Sequence, residues 1–207
     1  MKKTLFIATL VGICGLVRAT TINAPSSLVG TGTLNGGNAY SWGISIAVPT
    51  GQTITAAQID FTNIKLTSAS SSTGTLWTDL LNSQNTGVTT AVDNDAPGDY
   101  WSTKFSGANI TSIGSKVFAT VGTTLTWSYV LNAAQLTALN SYLAAGTFNI
   151  GFDPDCTYNV GGISFTYTLG TKPNNVPDQA ETALLAIVGL AGLEIFRRKF
   201  TPATSKA

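Results

Sequence analysis

Large and small side chains alternate along several stretches of the chain, as they do in β-strands that bury one face. The first stretch, 40–48, has only small side chains between five large ones, which are Tyr40, Trp42, Ile44, Ile46 and Val48. Two further stretches, 125–131 and 163–169, alternate in the same way. Because successive side chains of a strand point to opposite faces of a sheet, each stretch has one face to bury. The pattern predicts an all-β fold, an antiparallel β-sandwich of jelly-roll-like type.

One interruption of the alternation predicts a β-bulge. Ile59 and Phe61 occupy one parity, whereas Ile64 and Leu66 occupy the other. The pair 62–63 between them therefore shifts the parity by one position. An extra residue in one strand of an antiparallel pair has this effect, so we expect a single bulged strand here rather than two separate strands.

One short helix is predicted at 133–145. Asn132 is followed at the fourth place by Gln135, a spacing that lets the two side chains cap the first turn reciprocally. Three leucines then recur at helical spacing, namely Leu136, Leu139 and Leu143. Gly146 supplies a residue that can adopt the left-handed conformation at a helix end. We expect this helix to cover an open end or edge of the sandwich with its leucines in the core.

The first nineteen residues have the organisation of a secretory signal peptide. Met1-Lys2-Lys3 is cationic, 5–17 is mainly apolar, and Val17-Arg18-Ala19 has the form of a cleavage site. Such segments are removed from the mature protein. We therefore expect signal peptidase to remove 1–19, which leaves 20–170 as the sandwich domain.

An apolar segment lies near the other end of the chain, at 182–196. It has no charged residue before Glu194 and is followed at once by Arg197, Arg198 and Lys199. These features predict a single transmembrane helix with a basic stop on its cytoplasmic side. The remaining divisions that we expect are a linker at 171–175, a C-terminal signal at 176–200 and a cytoplasmic tail at 201–207.

A short motif, Val176, Pro177 and Asp178, precedes this segment and is followed by Gln179 and Ala180. The motif, the hydrophobic helix and the arginine-rich cluster at a C-terminus together resemble PEP-CTERM sorting signals. The variant that they resemble is VPDSG-CTERM, with Gln179-Ala180 in place of Ser-Gly. The resemblance implies processing by an exosortase-like membrane enzyme. It also implies inner-membrane anchoring with the bulk outside the cytoplasm, then delivery to the cell surface or the extracellular space. An unprocessed C-terminal membrane anchor is the alternative.

The charge of the domain excludes one class of partner. Between positions 20 and 170 there are three lysines and seven aspartates, which gives a net charge of −4. A nucleic-acid-binding domain needs a basic patch to neutralise phosphates. We therefore expect no nucleic-acid partner.

The residue types available argue against catalysis. The chain contains no histidine, so Ser–His and Cys–His nucleophile pairs and histidine-based zinc sites cannot be built. Pairs of aspartates could serve a glycosidase, but those in this chain are close neighbours within one turn. We expect a non-enzymatic protein with no catalytic residues.

Two acidic turns are candidates for a Ca²⁺ site. The first contains Asp93, Asp95 and Asp99, and the second contains Asp153 and Asp155, with Asn159 as a further oxygen ligand. Closely spaced carboxylates in a turn offer the hard oxygens that Ca²⁺ prefers. Neither turn matches the EF-hand pattern. In the alternative interpretation there is no cofactor, and these side chains cap turns by accepting hydrogen bonds from nearby amides.

Three aromatic residues near loops are candidates for stacking on a sugar, namely Trp77, Trp101 and Tyr100. Buried aromatic side chains of the core are the alternative. The sequence thus predicts an exported protein of the cell envelope with a structural or extracellular-matrix-associated role. A carbohydrate- or calcium-binding module displayed at the surface is the alternative, and extracellular polysaccharide is then a partner.

Overall fold

The structure is a computed structural model that describes 18–29, 32–68, 74–93 and 98–172. The chain divides into two units, Met1–Thr171 and Lys172–Ala207, and only the first is described below. The signal peptide up to residue 17 and all the features predicted after residue 172 lie outside the described residues. Within those ranges, no helix is both long enough and apolar enough to span a membrane.

The described part of the chain is mainly β-strand. Its three α-helices are α1 (Ser26–Val29), α2 (Tyr100–Lys104) and α3 (Ala133–Leu143), and a 3-10 turn spans Gly107–Asn109. Its eleven strands are β1 (Ala19–Asn23), β2 (Thr33–Leu34), β3 (Asn38–Ser45), β4 (Gln52–Ser68), β5 (Gly74–Leu81), β6 (Gly87–Val92), β7 (Ile110–Phe118), β8 (Thr124–Val130), β9 (Thr147–Pro154), β10 (Thr157–Asn159) and β11 (Gly162–Thr171).

The strands form two sheets. The six-stranded sheet has the order β1-β11-β4-β10-β2, with β8 also paired to β4. The five-stranded sheet has the order β6-β3-β9-β5-β7. The strand pairs in both sheets are antiparallel. The prediction of an all-β, antiparallel two-sheet fold is confirmed.

The core lies between the two sheets and is rich in aromatic side chains. Phe61 of β4 stacks on Trp127 with 4.4 Å between ring centroids. It also meets Phe152 of the five-stranded sheet edge-on at 6.0 Å. A second bridge joins Phe148 and Phe165, whose centroids are 5.3 Å apart. Offset and edge-on pairs of this kind add to the stability gained from burial alone, so these rings fix the two sheets together.

The predicted bulge is confirmed. The pairing of β4 with β8 changes register between Phe61 and Ile64. Asn63, which lies in the interval, has a φ of 52°, a left-handed conformation that asparagine tolerates better than most residues. The bulge explains how Ile59, Phe61, Ile64 and Leu66 are all buried on one long strand.

The capping box of α3 is also confirmed. The Asn132 side chain accepts from the Gln135 amide, and the Gln135 side chain accepts from the Asn132 amide. Helix α3 touches both sheets: Asn140 bonds the backbone of Ile54 in β4, while Gln135 donates to the Ser112 carbonyl in β7. It therefore closes one end of the sandwich. The helix ends at Leu143, two residues before the predicted end, because turn residues lead directly into Gly146 (φ +96°).

The prediction of only one helix is wrong. Helices α1 and α2 are four and five residues long, too short for any hydrophobic periodicity to develop. Helix α2 begins in the turn that the sequence presented as an acidic loop. The position of α2 determines the geometry of the candidate functional site.

Candidate functional site

The central strand of the five-stranded sheet, β9, is buried on both of its faces. Phe148, Ile150 and Phe152 point into the core between the sheets, and all three are inaccessible to solvent. The alternate residues, Asn149 and Asp153, are equally inaccessible. A sheet in a simple sandwich exposes its outer face to water, so something must cover the outer face here.

The cover is the segment that carries α2. Trp101 of α2 packs in a small second cluster with Ala39 and Leu81, separate from the core between the sheets. Gly151 of β9 lies directly under the indole, since a Cβ at this position would be 2.7 Å from Trp101 Cδ1. Ala39, one of the small residues that alternate with large ones in β3, faces this cover. The absence of bulk on that side of the sheet allows α2 to sit on it.

The two acidic turns meet beneath α2. Asp99 caps the helix, and its Oδ1 accepts from the Trp101 amide at 3.0 Å. Asp153 lies on the outer face of β9, and its Oδ2 accepts from the adjacent amide, that of Tyr100, at 2.6 Å. Two consecutive backbone N–H groups thus hold one carboxylate from each turn. Nothing in the sequence indicates that these two turns, far apart along the chain, are in contact.

A third carboxylate, Asp79, was missed by the sequence analysis. It lies opposite Gly151 in the pairing of β5 with β9, and Trp77 lies opposite Asp153. Asp79 and Asp153 are therefore diagonal neighbours on one face of the sheet. A charged residue inside the apolar run 76–81 was the available signal, because a buried charge in a strand needs an explanation. We call Asp79, Asp99 and Asp153 the carboxylate cluster.

Asp79 has an unusual electrostatic environment. Only 1% of its surface is exposed, and neither carboxyl oxygen has a hydrogen-bond partner. Burial and, to a smaller extent, the nearby carboxyl groups of Asp99 and Asp153 together raise its pKa from 3.8 to about 8, against a lowering contribution from the Ser112 side chain. At neutral pH the protonated form of Asp79 is therefore favoured when no cation is present.

Two carboxyl groups at the end of β9, those of Asp153 and Asp155, also have raised pKa values. The pKa of Asp153 is raised to about 7, mainly by burial and also by the charges of Asp93, Asp155 and Asp99, while the Tyr100 amide lowers it. Burial also raises the pKa of Asp155, with smaller lowering contributions from Trp77 and Thr75. The carboxylate cluster and the acidic residues of both flanking turns, Asp93 and Asp155, thus repel one another electrostatically.

The cluster offers oxygen atoms and protons but no nitrogen or sulfur ligand. Such a set can hold protons or bind a hard cation. As they stand, no three acidic or cysteine side chains in the described ranges have the arrangement of a metal-binding group. Asp95 lies outside the described residues. Asn159 does not join the cluster, because it lies on β10 of the six-stranded sheet with its Oδ1 3.5 Å from the Thr33 hydroxyl.

The three aromatic candidates lie around the cluster. Trp101 is only 7% exposed, which agrees with the alternative interpretation of a buried aromatic side chain. The Tyr100 ring stands edge-on to Trp101 at 5.0 Å and has the Lys104 ammonium over it at 5.2 Å. Trp77 is half-buried on the outer face of β5.

A cavity of about 330 Å³ lies on the six-stranded sheet, away from the cluster. Its lining includes Ala19, Gln58, Val130 and Thr168, and no acidic or basic side chain takes part. The cavity therefore offers shape but little chemistry for recognition.

Comparison with known proteins does not identify a family for this chain. No protein-family model matches the chain. No curated protein matches it either. What the chain does is therefore inferred from its residues and from the arrangement of the described module.

Proposed function

We propose that the protein is exported from the cytoplasm and held in the inner membrane by a C-terminal helix at 182–196. An exosortase-like enzyme then processes it at Val176-Pro177-Asp178 for the cell surface or the extracellular space. There the jelly-roll-like module has a structural, non-enzymatic role. The observation that carries the proposal is the apolar run followed at once by Arg197, Arg198 and Lys199, since cations in this position stop a helix from passing through the membrane.

The pairing of β1 with β11 supports this proposal. Ala19 of β1 pairs with Thr168 of β11, so the start of the first strand and the end of the last lie at the same end of the sheet. Removal of a signal peptide after Ala19 would leave Thr20–Asn23 of β1 to pair with β11.

Truncation after Asn175 is expected to abolish membrane association. The truncated protein loses the apolar run and its basic stop, and the free energy of partitioning into lipid is lost with them. Membrane fractionation of cells that express either form measures the effect. Asp60→Asn, a change on the six-stranded sheet, is the control and should stay with the membranes. Equal membrane association of the full and truncated chains would contradict the proposal.

Processing is tested by the intact mass of the mature protein. Cleavage at both ends removes the signal peptide and a C-terminal piece that begins near Val176. Asp178→Ala should leave the C-terminal piece attached and keep the protein in the inner membrane. A mature mass that includes 182–207 would show that the C-terminal segment is an unprocessed anchor.

The surrounding extracellular polysaccharide is a candidate partner of the displayed module. Trp77 is the one half-buried tryptophan beside the cluster among the aromatic candidates, and indole faces stack well on sugars. A glycan array probed with the protein tests this alternative, and a flat array removes it.

A further inference from the structure

Asp79 is buried, and neither of its carboxyl oxygens has a donor in hydrogen-bond geometry. An ionised carboxylate in this position would be strongly destabilising, because it is buried and, among the groups that shift its pKa, the Ser112 side chain alone favours its charge. Asp153 is fully buried as well, and its Oδ1 lacks a partner. The contributions that lower the pKa values of these two groups come from hydrogen-bond donors, not from a lysine or an arginine. Among the described residues, no lysine or arginine is therefore a counter-ion for the ionised cluster.

The other oxygens of the cluster are already oriented. The Trp101 amide holds Asp99 Oδ1 and the Tyr100 amide holds Asp153 Oδ2. Both amides belong to the first turn of α2, so each hydrogen bond links one carboxyl group to this helix. Ligands that are held by hydrogen bonds to neighbouring groups bind a metal ion more tightly than free ones. The remaining carboxyl oxygens of Asp79 and Asp153 are the ones left without partners.

We propose that Asp79, Asp99 and Asp153 bind one divalent cation of the calcium type beneath helix α2. The ligand set is made of oxygen alone, which suits Ca²⁺, and the flexible coordination of Ca²⁺ suits carboxylates that come from three separate segments. Mg²⁺ demands a near-octahedral geometry and keeps several waters, which a buried site covered by Trp101 does not readily provide. The site is independent of the proposed export and anchoring.

Binding has to move the ligands. Because the three carboxyl groups do not already have the arrangement of a metal site, the cation must draw them together. Asp79 and Asp153 lie on strands, whereas Asp99 lies at the start of a five-residue helix. We therefore place the movement at Asp99 and α2, and we expect the fluorescence of Trp101 to change on binding.

The test is a thermal unfolding experiment on the full chain in non-ionic detergent, first stripped of metal with a chelator. At a pH of about 8, millimolar CaCl₂ should raise the unfolding midpoint by about 4 °C, as expected for a ligand at roughly ten times its dissociation constant. Asp79→Asn and Asp153→Asn should lose this rise. Asp99→Asn should reduce it while α2 still forms, because asparagine caps a helix as well as aspartate does.

Two controls define the result. Asp60→Asn removes an aspartate from the opposite sheet and should keep the full calcium response. MgCl₂ at the same concentration should give a smaller shift than CaCl₂. No calcium-dependent rise in the wild type overturns the proposal, and so does an equal rise in Asp79→Asn. If Asp79→Asn and Asp153→Asn fail to fold, Asp99→Asn decides, and a response equal to wild type then overturns it.

Discussion

Replacing Phe61 with alanine is expected to lower the free energy of unfolding by about 3–5 kcal/mol. Phe61 is completely buried, and its ring contacts Trp127, Tyr129 and Phe152 at centroid distances of 4.4, 6.0 and 6.0 Å. The change removes the ring that joins the two sheets and leaves a cavity that a tightly packed core cannot close. Denaturant unfolding followed by tryptophan fluorescence measures the loss.

Val130→Ala is the matched control for this change. Val130 is 72% exposed, so its truncation should alter the free energy of unfolding by less than about 0.5 kcal/mol. If Phe61→Ala were no more destabilising than Val130→Ala, the packing of the two sheets through the aromatic core would be contradicted.

In metal-free buffer the stability of the protein is expected to fall as the pH rises from about 5 to about 8. The pKa of Asp79 is about 8 and that of Asp153 about 7 in the folded protein, against roughly 3.9 for an aspartate in an unfolded chain. Between these values the folded state binds more protons than the unfolded state. The free energy of unfolding therefore decreases with pH by at most about 1.4 kcal/mol per pH unit for each group.

Summed over Asp79 and Asp153, the decrease in the free energy of unfolding across this pH interval is on the order of several kcal/mol. This is a large part of the stability of an ordinary domain. The stabilisation from protonated Asp79 and Asp153 is fully present below about pH 4 and is lost as the pH passes their folded pKa values. Lys104, the lysine of α2, has its ammonium over the Tyr100 ring and is not among the groups that shift these pKa values. Urea unfolding at a series of pH values measures the slope.

Asp79→Asn should make this pH dependence shallower, because an amide does not ionise and only Asp153 then contributes to the slope. Asp60→Asn should reproduce the wild-type slope, since Asp60 lies on the other sheet and its carboxylate accepts from Gln58 and Ser128. A stability that rises between about pH 5 and pH 8 in metal-free wild type would contradict the protonated state of the cluster. Calcium should restore the stability lost at the upper end of the range, because the cation replaces the protons as the counter-charge.

The parts of the fold that depend on neighbouring residues could be predicted from the sequence. The alternation at 40–48 assigned Trp42 and Ile44 to the core, and the structure buries both. The capping box of α3 involves residues only three positions apart, and the bulge at Asn63 is marked by a parity change within one strand. In each case the physical cause lies within a few residues of the signal.

The carboxylate cluster could not be predicted, because it depends on pairing over long distances in sequence. Asp79 meets Asp153 only because β5 and β9 pair in a register that places Asp79 opposite Gly151. Asp99 joins them because a five-residue helix, too short to show periodicity, lies over that glycine. The sequence supplied the two acidic turns but not their contact.

The cation site is best tested by terbium luminescence of the full chain in detergent. Tb³⁺ replaces Ca²⁺ at oxygen-rich sites and emits when a tryptophan close to it is excited. We expect sensitised emission in the wild type that CaCl₂ displaces, weaker emission in Trp101→Phe, and none in Asp79→Asn. Absence of sensitised emission from the wild type, or equal emission from Asp79→Asn, would contradict a cation site formed by Asp79, Asp99 and Asp153 beneath α2.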